Sequence, residues 1–311
     1  MSLARAPGKL VLSGAYAVLS GAPALVVAVD RYVTADSSRP ATFLTPEVKA
    51  ALGERSAPWF DAANLRENGQ KLGLGSSAAI LVASLAALEL DDKPGLGDAE
   101  LCARVYSRAL HAHRRAQGGG SGVDVAASAH GGVLAARRRE VELELAPVEL
   151  PAGLHFQVWA CSVSASTAEF LARIAELAAR DGAAHRARIA AQADAAEFAL
   201  DAVQRGSAGD FVAAIGRQVG TLKALGEAAC VGIVTPALAE LGALAASHGA
   251  AFLPAGAGGG DVADYVGLTP PAPEFEARAR ARGLSHVPLQ VGARGVHGAG
   301  LTPTHPARKE L

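Results

Sequence analysis

The segment Lys71-Leu72-Gly73-Leu74-Gly75-Ser76-Ser77-Ala78 places two glycines and two serines directly ahead of an apolar run that continues to Leu90 with helical spacing. A loop of this kind at a helix start presents unpaired backbone N–H groups, and the helix dipole adds partial positive charge. It therefore suits an anion, with phosphate the first candidate. Two more glycine-rich loops carry polar side chains. One is Gln117-Gly118-Gly119-Gly120-Ser121-Gly122, closely followed by Asp124, and the other is Gly256-Ala257-Gly258-Gly259-Gly260-Asp261. Any single loop reads as a backbone turn. Three of them, each tied to Ser or Asp, point to convergence on one polyanionic ligand. Lys9, after the Pro7-Gly8 turn at the mouth of an apolar strand, reads by itself as a solvated surface lysine.

Two familiar phosphate-binding patterns fail. G-x-x-x-x-G-K-[ST] is absent, since Gly8-Lys9 is followed by Leu10. GLGSSA at 73–78 fits G-x-G-x-x-A, with Asp91 and Asp92 downstream. The polar residues 61–71 ahead of it cannot form the buried parallel strand that a dinucleotide fold requires.

The elements that must position these loops can be read coarsely. Val- and Leu-rich residues 8–34, broken by Gly14, Gly21 and Pro23, predict successive strands. Residues 36–70 are weakly patterned and read as loop and short strand. Helices are predicted over 77–90 and 97–117, with strands at 132–136 and in the alternating run 140–146. A strand at 154–162 precedes three helical stretches between about 166 and 226. Beyond residue 235 the order is helix, strand, glycine loop, strand, helix, strand. With the 154–162 strand this gives the βαββαβ order of a ferredoxin-like half. The charged stretch 136–140 and the run 145–153 flank the expected domain joint, so the domains are taken as 1–150 and 151–311.

The whole chain narrows the options further. With 50% hydrophobic residues in 311, it can bury a sizeable core. Its 29 Lys and Arg nearly cancel its 30 Asp and Glu, so no global field favours nucleic acid or an anionic membrane, and any anion site must be local. Cys102, Cys161 and Cys230 are scattered singly, which gives neither a disulfide framework nor a zinc spacing. No secretory h-region or long apolar span appears, so a cytoplasmic protein, monomer or homodimer, is expected.

APGKLVLSGAYAVL (6–19), KLGLGSSAA (71–79), HRRAQGGGSGVDVAAS (113–128), SASTAEF (164–170) and LPAGAGGGD (253–261) resemble, in order and spacing, motifs of the GHMP small-molecule kinases. The likeness is greatest to the phosphomevalonate kinase branch. The resemblance implies an α+β, two-domain GHMP kinase fold, with a ribosomal S5-like N-terminal ATP-binding domain and a ferredoxin-like C-terminal domain. The active site would lie between the halves. The implied activity is phosphoryl transfer from ATP, with Mg²⁺, to phosphomevalonate; another phosphorylated or hydroxylated small-molecule acceptor is the alternative.

By the same resemblance Lys9 and Asp124 are catalytic. Lys71, Gly73, Leu74, Gly75, Ser76, Ser77 and Ala78 bind the ATP phosphates. Ser76 and Ser77 are equally good helix caps on sequence alone, and the resemblance moves Ser77 toward Mg²⁺ ligation. Tyr16, Gln117, Ser121, Gly122, Ser166, Thr167, Gly256, Ala257, Gly258, Gly259 and Asp261 are the implied substrate contacts. For an acceptor that is already anionic, Asp124 orients Lys9 more than it removes a proton. His111 and His113 lie two apart on one helix and make a poor metal pair. The chain departs from the family pattern at Ala15, where a Glu is usual. Mevalonate kinase, diphosphomevalonate decarboxylase and a non-catalytic nucleotide or metabolite-binding protein are the competing readings.

Overall fold

The computed structural model describes residues 1–67, 69–140, 142–161 and 167–300. Its first sheet is built on the antiparallel pair β1 (Leu3–Ser13) and β2 (Pro23–Pro40). Residues Pro23 to Val29 are buried on both faces, with Leu25, Val27 and Val29 entering the main core and Ala24 and Val26 a second cluster. A strand covered on both sides reads as a continuous apolar run, which is why the sequence shows no alternation there.

The chain then forms α1 (Pro46–Leu52), β3 (Pro58–Asp61) and a small hairpin of β4 (Arg66–Glu67) and β5 (Gln70–Lys71). Next come α2 (Ser76–Asp92), α3 (Asp98–Gln117), α4 (Val123–His130), β6 (Val133–Arg139) and β7 (Glu142–Pro147). The alanine-rich α2 is buried from Ala78 to Ala87, packed against β1 and β2 and against α3 and α4. Helices apolar all round belong in an interior. Two expectations are corrected. Residues 36–70 hold the end of β2, α1 and β3 as well as loop, and Arg137, Arg138 and Arg139 continue β6, with Arg137 pairing with Glu197 and Arg139 with Glu144.

The second sheet contains β8 (His155–Ala160), β9 (Ala251–Pro254), β10 (Val262–Gly267) and β11 (Ser285–Val287), in the antiparallel order β11-β8-β10-β9. Between β8 and β9 run α5 (Thr167–Arg180), α6 (Gly182–Gln204), α7 (Ala208–Ala229) and α8 (Pro236–Ser247), and α9 (Pro273–Ala281) links β10 to β11. The βαββαβ order is therefore present, with four helices in its first crossover. Trp159, Phe252, Tyr265 and Phe275 seal one face of this sheet beneath α8 and α9. After β11 the chain returns to the first sheet, where β12 (His297–Ala299) completes the order β12-β1-β2-β6-β7, with β3 pairing β2.

One charge is buried on the other face of β10, where Val262 and Val266 join the main core. Asp264, in β10, is 1% exposed, and neither carboxylate oxygen has a hydrogen-bond partner among the described residues. Burial pushes its pKa up to about 7, with Lys9 drawing it partly back. An unfolded Asp titrates near 3.8, so the folded state favours the neutral acid, and stability falls as pH climbs from about 4 to about 7. Asp264→Asn should remove this slope, worth up to about 4 kcal/mol. Its melting temperature relative to the parent should climb between pH 5 and pH 8. Parallel curves of melting temperature against pH would show that Asp264 does not titrate in this window.

Candidate active site

A cleft of about 360 Å³ opens where the three glycine loops meet. Lys9 occupies its floor because the β1–β2 register shifts between Pro7 and Gly8, just before it. A side chain at Gly8 would begin 2.9 Å from the Leu74 carbonyl oxygen, so only glycine lets the strand approach the loop. The Lys9 amide donates to that Leu74 carbonyl at 2.9 Å, and Nζ donates to the Gly73 carbonyl at 3.2 Å. Gly75, at φ +74°, leaves room for the Lys9 stem, whose Cγ would lie 3.0 Å from any Cβ there.

The third loop is tied to the first strand. Gly256 N donates to Val11 O at 3.4 Å, and the Tyr16 hydroxyl donates to Ala257 O. A Cβ at Gly73 would fall 2.5 Å from Asp261 Cβ, so the first and third loops touch directly. Gly256, Ala257 and Asp261 therefore face the cleft. Gly258 and Gly259 do not. The former packs against the Ile233 carbonyl and the latter donates to it at 2.9 Å, so both serve the α7–α8 connection.

Asp124 lies in the first turn of α4, with Oδ2 3.1 Å from His113 Nε2 and Oδ1 accepting from Val125 N at 2.9 Å. The Ser128 hydroxyl donates to Pro7 O at 2.8 Å and fixes α4 against the turn that precedes Lys9. Burial raises the Asp124 pKa, but His113 and Lys9 outweigh it and hold the carboxyl below its ordinary value. Burial lowers the His113 imidazole, and Asp124 together with Glu47 more than restores it. For Lys9 burial wins, and its pKa stays lowered despite Asp124, Asp261 and Asp264.

The remaining expected residues divide clearly. Ser76, Ser77, Gln117, Ser121, Gly122 and Thr167 line the cleft, as does Ala15. The Gln117 amide, however, donates to Glu47 Oε1 at 3.2 Å, and Ser121 Oγ accepts from Val123 N at 3.5 Å. Leu74 and Ala78 are buried and offer only backbone. Lys71 is exposed and borders a neighbouring hollow of about 590 Å³ with Phe43, Phe60 and Arg66, which meets the cleft at Ser76 and Ser77. Ser166 lies outside the described residues.

Three functional candidates escaped the sequence reading. His113 was weighed only as a metal ligand, Glu47 was hidden in weakly patterned sequence, and Asp264 was passed over. The signal for Asp264 was present, as the lone charge in the apolar strand VADYVG.

No protein-family model matches the chain. Over 371 aligned positions it is 28% identical to phosphomevalonate kinase of Streptomyces sp. (strain CL190), with 96% of each chain covered. Mevalonate kinase of Archaeoglobus fulgidus is 30% identical over 200 positions, covering 57% of this chain and 64% of that one. The structure of Streptococcus pneumoniae phosphomevalonate kinase in complex with phosphomevalonate and AMPPNP matches with a TM-score of 0.76 at 18% identity, over 94% of this chain and 100% of that one. The two-domain α+β architecture is common to these folds.

Proposed function

We propose that this chain, a small-molecule kinase of the GHMP superfamily, moves the γ-phosphoryl group of ATP onto the phosphate of phosphomevalonate, giving diphosphomevalonate. The observation that carries the reading is Lys9, held at the Gly73 carbonyl of the phosphate loop and flanked by Asp124 and Asp261 from the other two loops. Similarity to a phosphomevalonate kinase along 96% of both chains supports this acceptor over mevalonate, whose kinase aligns with 57% of this chain.

In this reading residues 1–150 bind nucleotide and 151–311 supply much of the acceptor side. The base and ribose occupy the hollow beside Phe43 and Phe60, whose rings meet edge to face at 4.9 Å. The triphosphate enters the cleft along the backbone N–H groups at the start of α2. An acceptor phosphate oxygen attacks the γ-phosphorus as the bond to the β–γ bridging oxygen breaks, and ADP leaves with that electron pair. Lys9 stabilises charge on the attacking and transferring oxygens. Asp124, ionised and paired with His113, fixes Lys9 and needs to remove no proton from an anionic acceptor. Ser121 and Thr167 donate to the acceptor phosphate.

The hydroxyl of Ser77 adjoins a buried carboxylate, a hard-oxygen set that fits Mg²⁺. Ser77 would hold the ion, which when bound neutralises charge on the β- and γ-phosphates.

A coupled ADP-release assay on phosphomevalonate, mevalonate and diphosphomevalonate decides the acceptor. Turnover is expected on the first alone, and turnover on mevalonate only, or release of CO₂ from the third, would refute it. In the same assay Lys9→Ala and Asp124→Ala should each lower kcat by at least about 100-fold. Folded variants that keep the parent rate would place the chemistry elsewhere.

A further inference from the structure

Asp264 poses an electrostatic problem. It is shut away from water, and among the described residues no donor reaches either of its carboxylate oxygens. A buried anion in this condition is strongly disfavoured unless a counter-charge acts on it. Val262 and Val266, on the same face of β10, fill the main core with no such difficulty. An acid at this position therefore calls for an account other than packing.

Its surroundings direct that charge at one group. Val158 of β8 and Leu253 of β9 stand opposite it in the sheet, and the buried positions of α7, which packs against β1, β9 and β10, hold no titratable side chain. Cys161, just past β8, is pushed up to about 12 by burial and by Asp261 and Asp264, so it stays a neutral thiol. The cation is Lys9 of β1. Its Nζ lies 4.0 Å from where a Cβ on Gly256 would stand, and Gly256 is three residues beyond Leu253. The carboxylates acting on Lys9 are Asp124, Asp261 and Asp264. Asp124 is engaged by His113 and the Val125 amide, and Asp261 lines the open cleft. Asp264 sits in the strand beneath, out of reach of any ligand in that cleft.

We propose that Asp264 is a positioning residue for phosphoryl transfer, which keeps the Lys9 ammonium charged in the empty cleft and takes up a proton when a polyanion arrives to do the same. In the empty cleft burial works against the ammonium, and an ionised Asp264 offsets it. Once a triphosphate lies against Lys9, its charge supports the ammonium and repels the buried carboxylate. A proton from solvent then joins Asp264, no other bond changes, and the site meets its ligand with one negative charge fewer. The proposal rests on the kinase reading of the cleft. The competing role for Asp264 is structural, as a side chain that merely fills its place in β10.

The test titrates AMPPNP with Mg²⁺ into the full chain by calorimetry at pH 7, in two buffers of different ionisation enthalpy, so that protons taken up on binding are counted. Asp264 is about half ionised at this pH while the cleft is empty, so the parent should take up as much as about half a proton more than Asp264→Asn. Kinetics supply a second reading. The alkaline limb of kcat/KM, on which the free enzyme loses the Lys9 proton, should move about one pH unit lower in Asp264→Asn, with a smaller shift in kcat, which reports the loaded enzyme. Equal proton uptake in the two proteins overturns the proposal. So does a rate lowered evenly across pH, which is what a packing role produces. If Asp264→Asn fails to fold, Asp264→Leu, uncharged at every pH, carries both measurements with the same expectations. Parent protein that binds no AMPPNP would instead defeat the kinase reading and this proposal with it, whereas binding with equal proton counts defeats this proposal alone.

Discussion

An ammonium group held in a partly closed cleft is the constraint around which the loops of this protein are arranged. Removing an unpaired charge from water costs several kcal/mol, and Lys9 tolerates it because Asp124, Asp261 and Asp264 approach from different elements. Asp124 comes from α4, while Asp261 and Asp264 come from the start of the strand beneath the third loop. The lysine is thus a point at which the two sheets are electrostatically joined. The glycines follow from the same requirement. Gly8 allows the strand to reach Leu74, Gly75 makes room for the Lys9 stem, and Gly73 leaves space for Asp261.

Charge in the cleft is predominantly negative, although the proposed ligands are polyanions. Asp124 with buried His113 forms one polar group, and buried Glu47 with Gln117 and Ser77 forms a second. The first adjoins Lys9, and the second stands beside the start of α2. The near-neutral formal charge of the whole chain, −1, leaves that local arrangement undisturbed by any long-range field.

The glycine loops were legible in the sequence because their composition is local and permits few conformations, and the βαββαβ order was legible because its strands are short apolar runs between turns. Contacts between distant positions were not. Nothing in Thr45-Pro46-Glu47 announces that the glutamate meets Gln117 and Ser77, and His113 gains meaning only when α3 and α4 pack together. The return of 288–299 to β1 was equally hidden, since three residues of β12 carry too little pattern to declare a partner. Motif membership also proved broader than contact. In Gly256 to Asp261 the first two residues and the last face the cleft, and Gly258 and Gly259 are occupied with Ile233.

Ala15 shows why a departure from a family pattern must be weighed against the rest of the site. A methyl group there leaves the upper wall of the cleft without a carboxylate, which by itself would reduce the negative charge facing Lys9. Asp264 stands in a strand whose other positions are Val, Ala, Tyr and Gly, and it acts on Lys9 from below. With a pKa near 7 it is charged in part at neutral pH, and its ionisation is easier while Lys9 is protonated. Each group therefore favours the charged form of the other, and the electrostatics at Lys9 depend on a residue buried in the strand beneath it.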